Sequence, residues 1–408
     1  MREPLGKHIS IKHGYAFDGE YFVEEDNGVV LLTPGNFAIG GGFQEGKKYY
    51  DGPYPDEYVL SPGDLVVTMT DLSKTIDTLG YAALIPDDGR VYLHNQRIGL
   101  VEFKDDELDK VYLSYLLRTY HYQRTIAGSS TGSTVHHTSP AKIEAYPVEL
   151  PSAFIQKRIA NILSAYDKLI ENSRRQMALL EEAAQRLYKE WFVDLRFPGY
   201  EATPIIDGLP EGWGRGSLFD LFTPIRGCSY SSEEVECGEG TLINLGNLAP
   251  YGGFRFGYEK PFSGKCRDDQ LISKGDVFIG LTEQAKGLAG YAALVPAVPK
   301  GSVISADLMR LMPLEGVSSV YLYGLLRFGR LSDELSPLAN GTKIKHLRPD
   351  AIARINFVVP PIPLINKYSD LVSPFFEKVS GLEEQIASAR EARDRLLPKL
   401  MSGEIEVV

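Results

Sequence analysis

Gly80-Tyr81-Ala82-Ala83-Leu84-Ile85-Pro86 returns almost letter for letter as Gly290-Tyr291-Ala292-Ala293-Leu294-Val295-Pro296. A single match of this length could be chance, so the flanks decide. Upstream, Ser61-Pro62-Gly63-Asp64 reappears as Ser273-Lys274-Gly275-Asp276, and Gly41-Gly42-Phe43 as Gly252-Gly253-Phe254. Further up, Leu31-Leu32-Thr33-Pro34-Gly35-Asn36-Phe37 corresponds to Leu242-Ile243-Asn244-Leu245-Gly246-Asn247-Leu248. Downstream, Val111-Tyr112-Leu113 and Leu116-Leu117-Arg118 correspond to Val320-Tyr321-Leu322 and Leu325-Leu326-Arg327, and Gly132, His137 and Pro140 to Gly341, His346 and Pro349. The offset stays between about 209 and 212 residues, so the chain is two copies of one unit that differ by small loop insertions.

Within each copy, Leu65-Val66-Val67 and Val277-Phe278-Ile279 follow a Gly-Asp turn, as strands do. Leu113 to Gln123 and Leu322 to Leu331 carry helical apolar spacing. Short strands with Gly-rich turns and one or two helices predict a compact α+β domain. Each copy then ends in heptads. Ile159, Leu163, Tyr166, Ile170, Ser173, Met177, Leu180, Ala184, Leu187 and Trp191 alternate in steps of four and three. Tyr368, Val372, Phe375, Val379, Leu382, Ile386, Ala389, Arg393, Leu396 and Leu400 keep the same alternation.

Such a repeat over about five heptads predicts a coiled-coil seam. Roughly 37 residues of helix span on the order of 55 Å. The matched lengths favour an antiparallel pair inside one chain; a homodimer built on the same heptads is the other way to fill the seam. Pro374 is expected to kink the second helix or mark its effective start. Arg393, where the first copy has Ala184, is expected to snorkel or set register. Phe197-Pro198-Gly199-Tyr200 through Leu209-Pro210-Glu211-Gly212-Trp213 reads as a linker. The expected order is a globular domain at 1–153, a helix at 154–195, the linker at 196–212, a second globular domain at 213–362 and a second helix at 363–408.

The chain has 408 residues, 43% hydrophobic and 24% charged, which suits two or three ordinary globular domains. No run approaches the roughly 18 apolar residues of a membrane helix, and the start, Met1-Arg2-Glu3-Pro4-Leu5-Gly6-Lys7-His8, lacks the apolar core of a signal peptide. Cys228, Cys237 and Cys266 form no CxxC pair, so isolated reduced thiols are expected rather than a disulfide framework or a zinc site. The net charge of −11 weighs against nucleic acid as a partner unless basic residues are locally clustered.

The tools of catalysis are missing from the sequence. Gly128-Ser129-Ser130-Thr131-Gly132-Ser133-Thr134 is Gly/Ser-rich but lacks the lysine of a phosphate loop. It fits GxSxG formally, without the strand-to-helix context of a nucleophile elbow. No HExxH or dinucleotide fingerprint occurs, and Pro360-Pro361 sits between Val359 and Ile362 rather than in the adenine-methylating tetrapeptide. His136-His137 would point to opposite faces of a strand, which disfavours a shared metal. Asp87-Asp88 and Asp268-Asp269 lie in turn contexts where such side chains cap backbone. A non-catalytic binding protein is the expectation.

Two helical segments carry a resemblance. Phe154-Ile155-Gln156-Lys157-Arg158-Ile159-Ala160, running to Tyr188-Lys189-Glu190-Trp191-Phe192-Val193-Asp194-Leu195-Arg196-Phe197-Pro198, is similar to the central conserved region of type I restriction–modification specificity subunits. Arg395-Leu396-Leu397-Pro398-Lys399-Leu400-Met401-Ser402-Gly403-Glu404-Ile405 resembles their distal one. The resemblance implies two target-recognition domains, related by duplication and separated by two long antiparallel coiled-coil helices. Each domain would read one half of a bipartite double-stranded DNA site. The helices would act as a ruler and dock two methyltransferase (modification) subunits that bind S-adenosylmethionine, and restriction/translocase subunits could join. The chain itself would need no cofactor, metal or membrane and would work in the cytoplasm. A coiled-coil adaptor that binds proteins alone is the alternative.

Base edges are read by Arg, Lys, Asn, Gln, Ser and Thr on elements that enter a groove. The first candidates are the loop Ser129, Ser130, Thr131, Ser133, Thr134 and His136, and its counterpart Asn340, Thr342, Lys343, Lys345 and His346. Next come Thr70 and Lys74, matched by Thr282, Gln284 and Lys286. Third are Gln96 and Arg97, with Arg310 in the other copy. Ser133-Thr134-Val135-His136 aligns with Thr342-Lys343-Ile344-Lys345, so the half-sites are expected to differ and the target to be asymmetric.

Overall fold

Strand Leu65–Thr68 has all four residues buried, and its side chains alternate between two cores. Leu65 and Val67 pack with Leu113, Tyr122 and Ile126 of the helices. Val66 packs with Val30, Tyr92 and Ile98 on the other face. A strand covered on both sides reads as a continuous apolar run rather than an alternating one. Each such side chain contributes roughly 1.5–3 kcal/mol relative to exposure. The computed structural model describes residues 2–407 apart from Lys47, Lys74, Ser133, Thr342 and Lys343. It divides the chain into two compact units: Met1–Glu171 with Ile386–Val408, and Asn172–Gln385.

In unit 1, an antiparallel sheet runs Ile9–His13, Ile98–Phe103, Leu65–Thr68, Ala82–Leu84. Val66 lies opposite both Leu100 and Ala83. A second, five-stranded sheet holds the parallel pair Val29–Leu31 and Val91–Leu93. Unit 2 repeats the first sheet as Phe222–Arg226, Leu308–Pro313, Val277–Gly280, Ala292–Leu294. Phe278 faces one core there, and Val277 and Ile279 face the other. The α+β class and the two copies expected from the repeat are therefore present.

The helical stretch from Leu113 to Gln123 is two helices, Lys110–Leu116 and Tyr120–Gly128. Thr119 stops the first and caps the second, its hydroxyl accepting from the Tyr122 amide, an arrangement worth about 1 kcal/mol. In unit 2 the break falls at Arg330, which takes a left-handed φ of 59° before Leu331–Leu335.

The heptads form two long helices, Ala153–Tyr188 and Ile362–Met401. All heptad positions named above are buried or half-buried. Pro374 does not mark the start: the helix begins at Ile362 and continues through Pro374, with Pro363 in its first turn, where a missing amide costs nothing. Unit 1 contains the beginning of the first helix and the end of the second. There Ile159, Ala160 and Leu163 pack with Leu397 and Leu400, and Arg393 pairs with Asp167. Unit 2 contains the other halves. There Ser173 Oγ donates to Gln385 Oε1 at 3.2 Å, and Ala184 meets Tyr368 and Val372. Within each unit, partners rise along one helix as they fall along the other, so the helix segments pair antiparallel there.

The expected linker is partly folded. Phe197 and Trp213 are buried with rings 5.4 Å apart, and Ile205–Ile206 pairs with Leu209–Pro210 as a small hairpin.

The cysteine expectation is corrected. Cys228 and Cys266 are joined as a disulfide, Cα atoms 5.9 Å apart, 38 residues apart in the chain. Both belong to a small core with Leu242, Phe262 and Val303, and this meeting of two loops has no signature in cysteine spacing. Cys237 is free and exposed.

Candidate functional site

Among the described residues, the candidates other than Arg310 gather at one end of each central sheet. In unit 1 that end is where Ile9–His13 and Leu65–Thr68 finish and where Ile98–Phe103 begins. Just beyond it, Thr70–Asp71 pairs with His136–His137. A two-way bridge closes the polar loop on itself: Thr131 N donates to His137 O at 3.0 Å and His137 N to Thr131 O at 2.8 Å. Unit 2 repeats this. Thr282–Glu283 pairs with Lys345–His346, and Asn340 and His346 exchange hydrogen bonds of 3.0 and 2.9 Å. Segments far apart in sequence thus form one three-strand patch in each unit.

Both loops turn on a glycine. Gly132 has φ 103°, and an added methyl would collide with the Val135 carbonyl. Gly341 has φ 154°, with the Ile344 carbonyl in the same place. Beside each hairpin lies a second loop wound around one inward carboxylate. Asp71 accepts from the amides of Ser73 (2.6 Å), Thr78 (2.6 Å) and Leu79 (3.0 Å), and from the Thr78 hydroxyl (2.8 Å). Glu283 accepts from the amides of Gly287 (2.9 Å), Leu288 (3.2 Å) and Ala289 (2.5 Å). Burial alone would raise the Asp71 pKa, but the donors from Ser73 and Thr78 outweigh it and hold the carboxyl below the usual range. Asp71 and Glu283 were not among the sequence candidates. The hint was an acidic residue directly after the matched Thr70 and Thr282.

Ser129, Thr131, Thr134, Gln96 and Arg97 are exposed in unit 1, and Ser130 and His136 half-buried. Asn340, Lys345, His346, Gln284 and Lys286 are exposed in unit 2. Lys74, Ser133, Thr342 and Lys343 lie outside the described residues. Three candidates have their polar groups engaged within the protein. Thr70 is 3% exposed and its hydroxyl sits 3.1 Å from His137 Nδ1. Thr282 is 2% exposed and donates to Asp307 Oδ1 at 2.7 Å. Arg310 lies within the strand opposite Ile225 and Phe278, with Nη2 on Asp276 Oδ1 (2.8 Å) and Nη1 on the Leu271 and Asp269 carbonyls (2.8 and 3.3 Å). The threonines pin strand to hairpin, and Arg310 ties its strand to Asp276 and to the turn Asp268–Gln270.

The true counterpart of the Gln96–Arg97 turn is the turn at Ala306 and Asp307. Both lead into the matching strands Ile98–Phe103 and Leu308–Pro313. Arg97 in one unit is therefore replaced by Asp307 in the other, a reversal of charge on one scaffold.

His136 and His137 do point apart. His137 meets Thr70, and His136 Nδ1 is buried without a partner among the described residues. The grouping of His8 with Asp105 and Glu107 has the geometry to attract a cation. His8, however, already spends both ring nitrogens on Glu3 (2.8 Å) and Asp105 (2.9 Å). Burial works against the imidazolium, but these two hydrogen bonds prevail and raise the His8 pKa.

The type I restriction modification DNA specificity domain matches residues 35–182. The specificity subunit of type I restriction enzyme MjaIX from Methanocaldococcus jannaschii is 28% identical over 308 residues, 72% of this chain and 69% of that protein. The HindI specificity subunit of Haemophilus influenzae is 21% identical over 351 residues, 70% and 75% of the two. The crystal structure of a type I restriction–modification S subunit from M. genitalium covers 98% of this chain and 95% of its own, with a TM-score of 0.61 at 16% identity, a likeness of fold. No helix among the described residues is long and apolar enough to cross a membrane.

Proposed function

We propose that the chain is a type I restriction–modification specificity subunit, as the matched specificity domain and the MjaIX relative support, and that its two loop patches are the reading edges, one for each half of a bipartite, asymmetric DNA site. The observation that carries the reading is the repetition of one patch with different exposed side chains. The same Gly-turned hairpin presents Thr131 and Thr134 in unit 1, with Arg97 on the neighbouring turn before Ile98–Phe103. In unit 2 the hairpin and the carboxylate-wound loop present Lys345, Gln284 and Lys286. A common frame with different donors predicts different half-sites, because base edges are told apart by donor and acceptor pattern.

The chain supplies specificity and assembly, and the methyl transfer belongs to partners. Two modification subunits carrying S-adenosylmethionine would dock on the long helices, restriction subunits could join, and the complex would act in the cytoplasm. The acidic balance is compatible with this, since only the reading edges need to be basic.

The test is selection from random bipartite duplexes, with and without a modification subunit. Enrichment of one split, asymmetric motif is expected. Changing Lys343 and Lys345 to Ala should weaken the second half-site and lower the salt slope by about 1 for each phosphate no longer neutralised. No split motif in the complex would leave the protein-only adaptor as the better account.

A further inference from the structure

In unit 2 an open cleft of about 570 Å³ lies beside the disulfide, lined by Arg226, Ser229, Lys265, Arg267 and Gln270 together with Cys228 and Cys266. Its place in the fold gives it meaning. Arg226 ends the strand Phe222–Arg226 at the same end of the sheet as the reading edge, and its Nε donates to the Ala306 carbonyl at 3.2 Å. Cys228 bridges Ser305, next to the turn whose Asp307 receives the Thr282 hydroxyl. The cleft and the hairpin patch are therefore neighbours around one turn.

Its walls come from two separate segments. Arg226 and Ser229 flank Cys228, and Lys265 and Arg267 flank Cys266; Arg226, Lys265 and Arg267 are all exposed. Gln270 links the segments, its Nε2 donating to the Arg226 carbonyl at 3.0 Å while its Oε1 accepts from the Arg267 amide at 3.0 Å. The Arg267 guanidinium is shared with Asp269 at 2.9 Å. The disulfide is the covalent tie between the walls.

Unit 1 closes the same place differently. Tyr15 bridges Asn95 as Cys228 bridges Ser305. Tyr58 ends the turn Asp56–Tyr58 as Gln270 ends Asp268–Gln270. There the two segments are joined by the rings of Tyr15 and Tyr58, 5.2 Å apart, and no cysteine is present.

From this we infer that the cleft is a seat for DNA phosphates flanking the second half-site, and that the Cys228–Cys266 bond makes only that half-site sensitive to redox state. The inference rests on the reading-edge assignment above. Reduction by a dithiol breaks the sulfur–sulfur bond and places one electron and one proton on each sulfur. The reductant leaves as its cyclic disulfide. The Lys265–Arg267 segment then loses its covalent tie to Arg226, and phosphate binding that needs both walls weakens.

The test uses the full chain with its modification subunits, in a Cys237→Ser background so that the exposed third thiol takes no part. Binding is measured to the selected split site and to a duplex with only the first half-site intact. Dithiothreitol should cut the advantage of the split site severalfold and lower the salt slope by about 1 for each phosphate released from the cleft. Affinity for the first half-site should not change. Lys265→Ala and Arg267→Ala should reproduce the effect in oxidised protein. The Cys228→Ser/Cys266→Ser variant should match reduced protein and ignore dithiothreitol.

Equal affinity and slope in both redox states overturns the inference, as does a mass measurement finding both thiols free in air-oxidised protein. If the double serine variant loses the first half-site too, it is misfolded, and the reduced parent protein decides. If the parent retains no split site in either state, the reading-edge assignment fails first and the inference with it. Split-site binding without redox response removes the inference alone.

Discussion

Glu383 is held by its surroundings in a way that ties local stability to pH. Burial first, then the negative charges of Glu181 and Glu384, push its pKa from 4.5 to about 7. A raised acid holds its proton more tightly in the folded chain than in the unfolded one. Its stabilising share is full below the unfolded value of 4.5 and is lost as pH rises through about 7. Glu383→Gln should therefore melt higher than the parent at about pH 8 and equally near pH 4, as followed by circular dichroism; a constant difference across that range would contradict the assignment. Other residues teach what side-chain type withholds. Thr70 and Thr282 look like base readers in sequence, yet both hydroxyls face inward. Polarity says that a group needs a partner, not whether the partner is protein or ligand. Gly132 and Gly341 were legible, because a backbone position that only glycine fits leaves its mark in the sequence itself.

Among the elements, the long helices were the most legible, since heptad spacing is a property of the local chain. Their register is fixed by something less visible. Asp167 takes Arg118 Nη1 at 3.1 Å, the Tyr115 hydroxyl at 2.7 Å, and Arg393 from the end of the second helix. Arg393 thus sets register through an ion pair. Burial opposes the Asp167 charge, but Arg118, Tyr115 and Arg393 together lower its pKa. Asp167→Ala leaves Arg118, 6% exposed, without its carboxylate and Arg393, 16% exposed, with Asp394 alone. A loss of about 3 kcal/mol is expected in urea unfolding, at the lower end because Asp167 is itself 33% exposed. Adding Arg393→Met should recover part of it; strict additivity would mean that the pair does not couple. The break at Thr119 and the bond between Cys228 and Cys266 were not legible. The first is decided by packing on both sides of one residue, and the second by two loops meeting.

At the scale of the molecule, the duplication was plain in sequence, but its partition into units was not. Repeat copies end with their helices, whereas each compact unit takes half of both. If the helices act as the ruler proposed for them, removing seven residues from each around the Ser173–Gln385 contact preserves the seam. It should shorten the tolerated spacer by about 10 Å, or roughly three base pairs at 3.4 Å each. Repeating the duplex selection on the shortened protein checks this, and an unaltered spacer would exclude the ruler. The same partition bears on the order of synthesis. Asn172–Gln385 is one uninterrupted stretch, complete as soon as it leaves the ribosome. Met1–Glu171 emerges earlier but must wait for Ile386–Val408, whose Leu397 and Leu400 finish its core beside Leu163. The first unit to be translated is thus the last to close, and until then a newborn chain holds an open apolar stripe that a chaperone would have reason to cover.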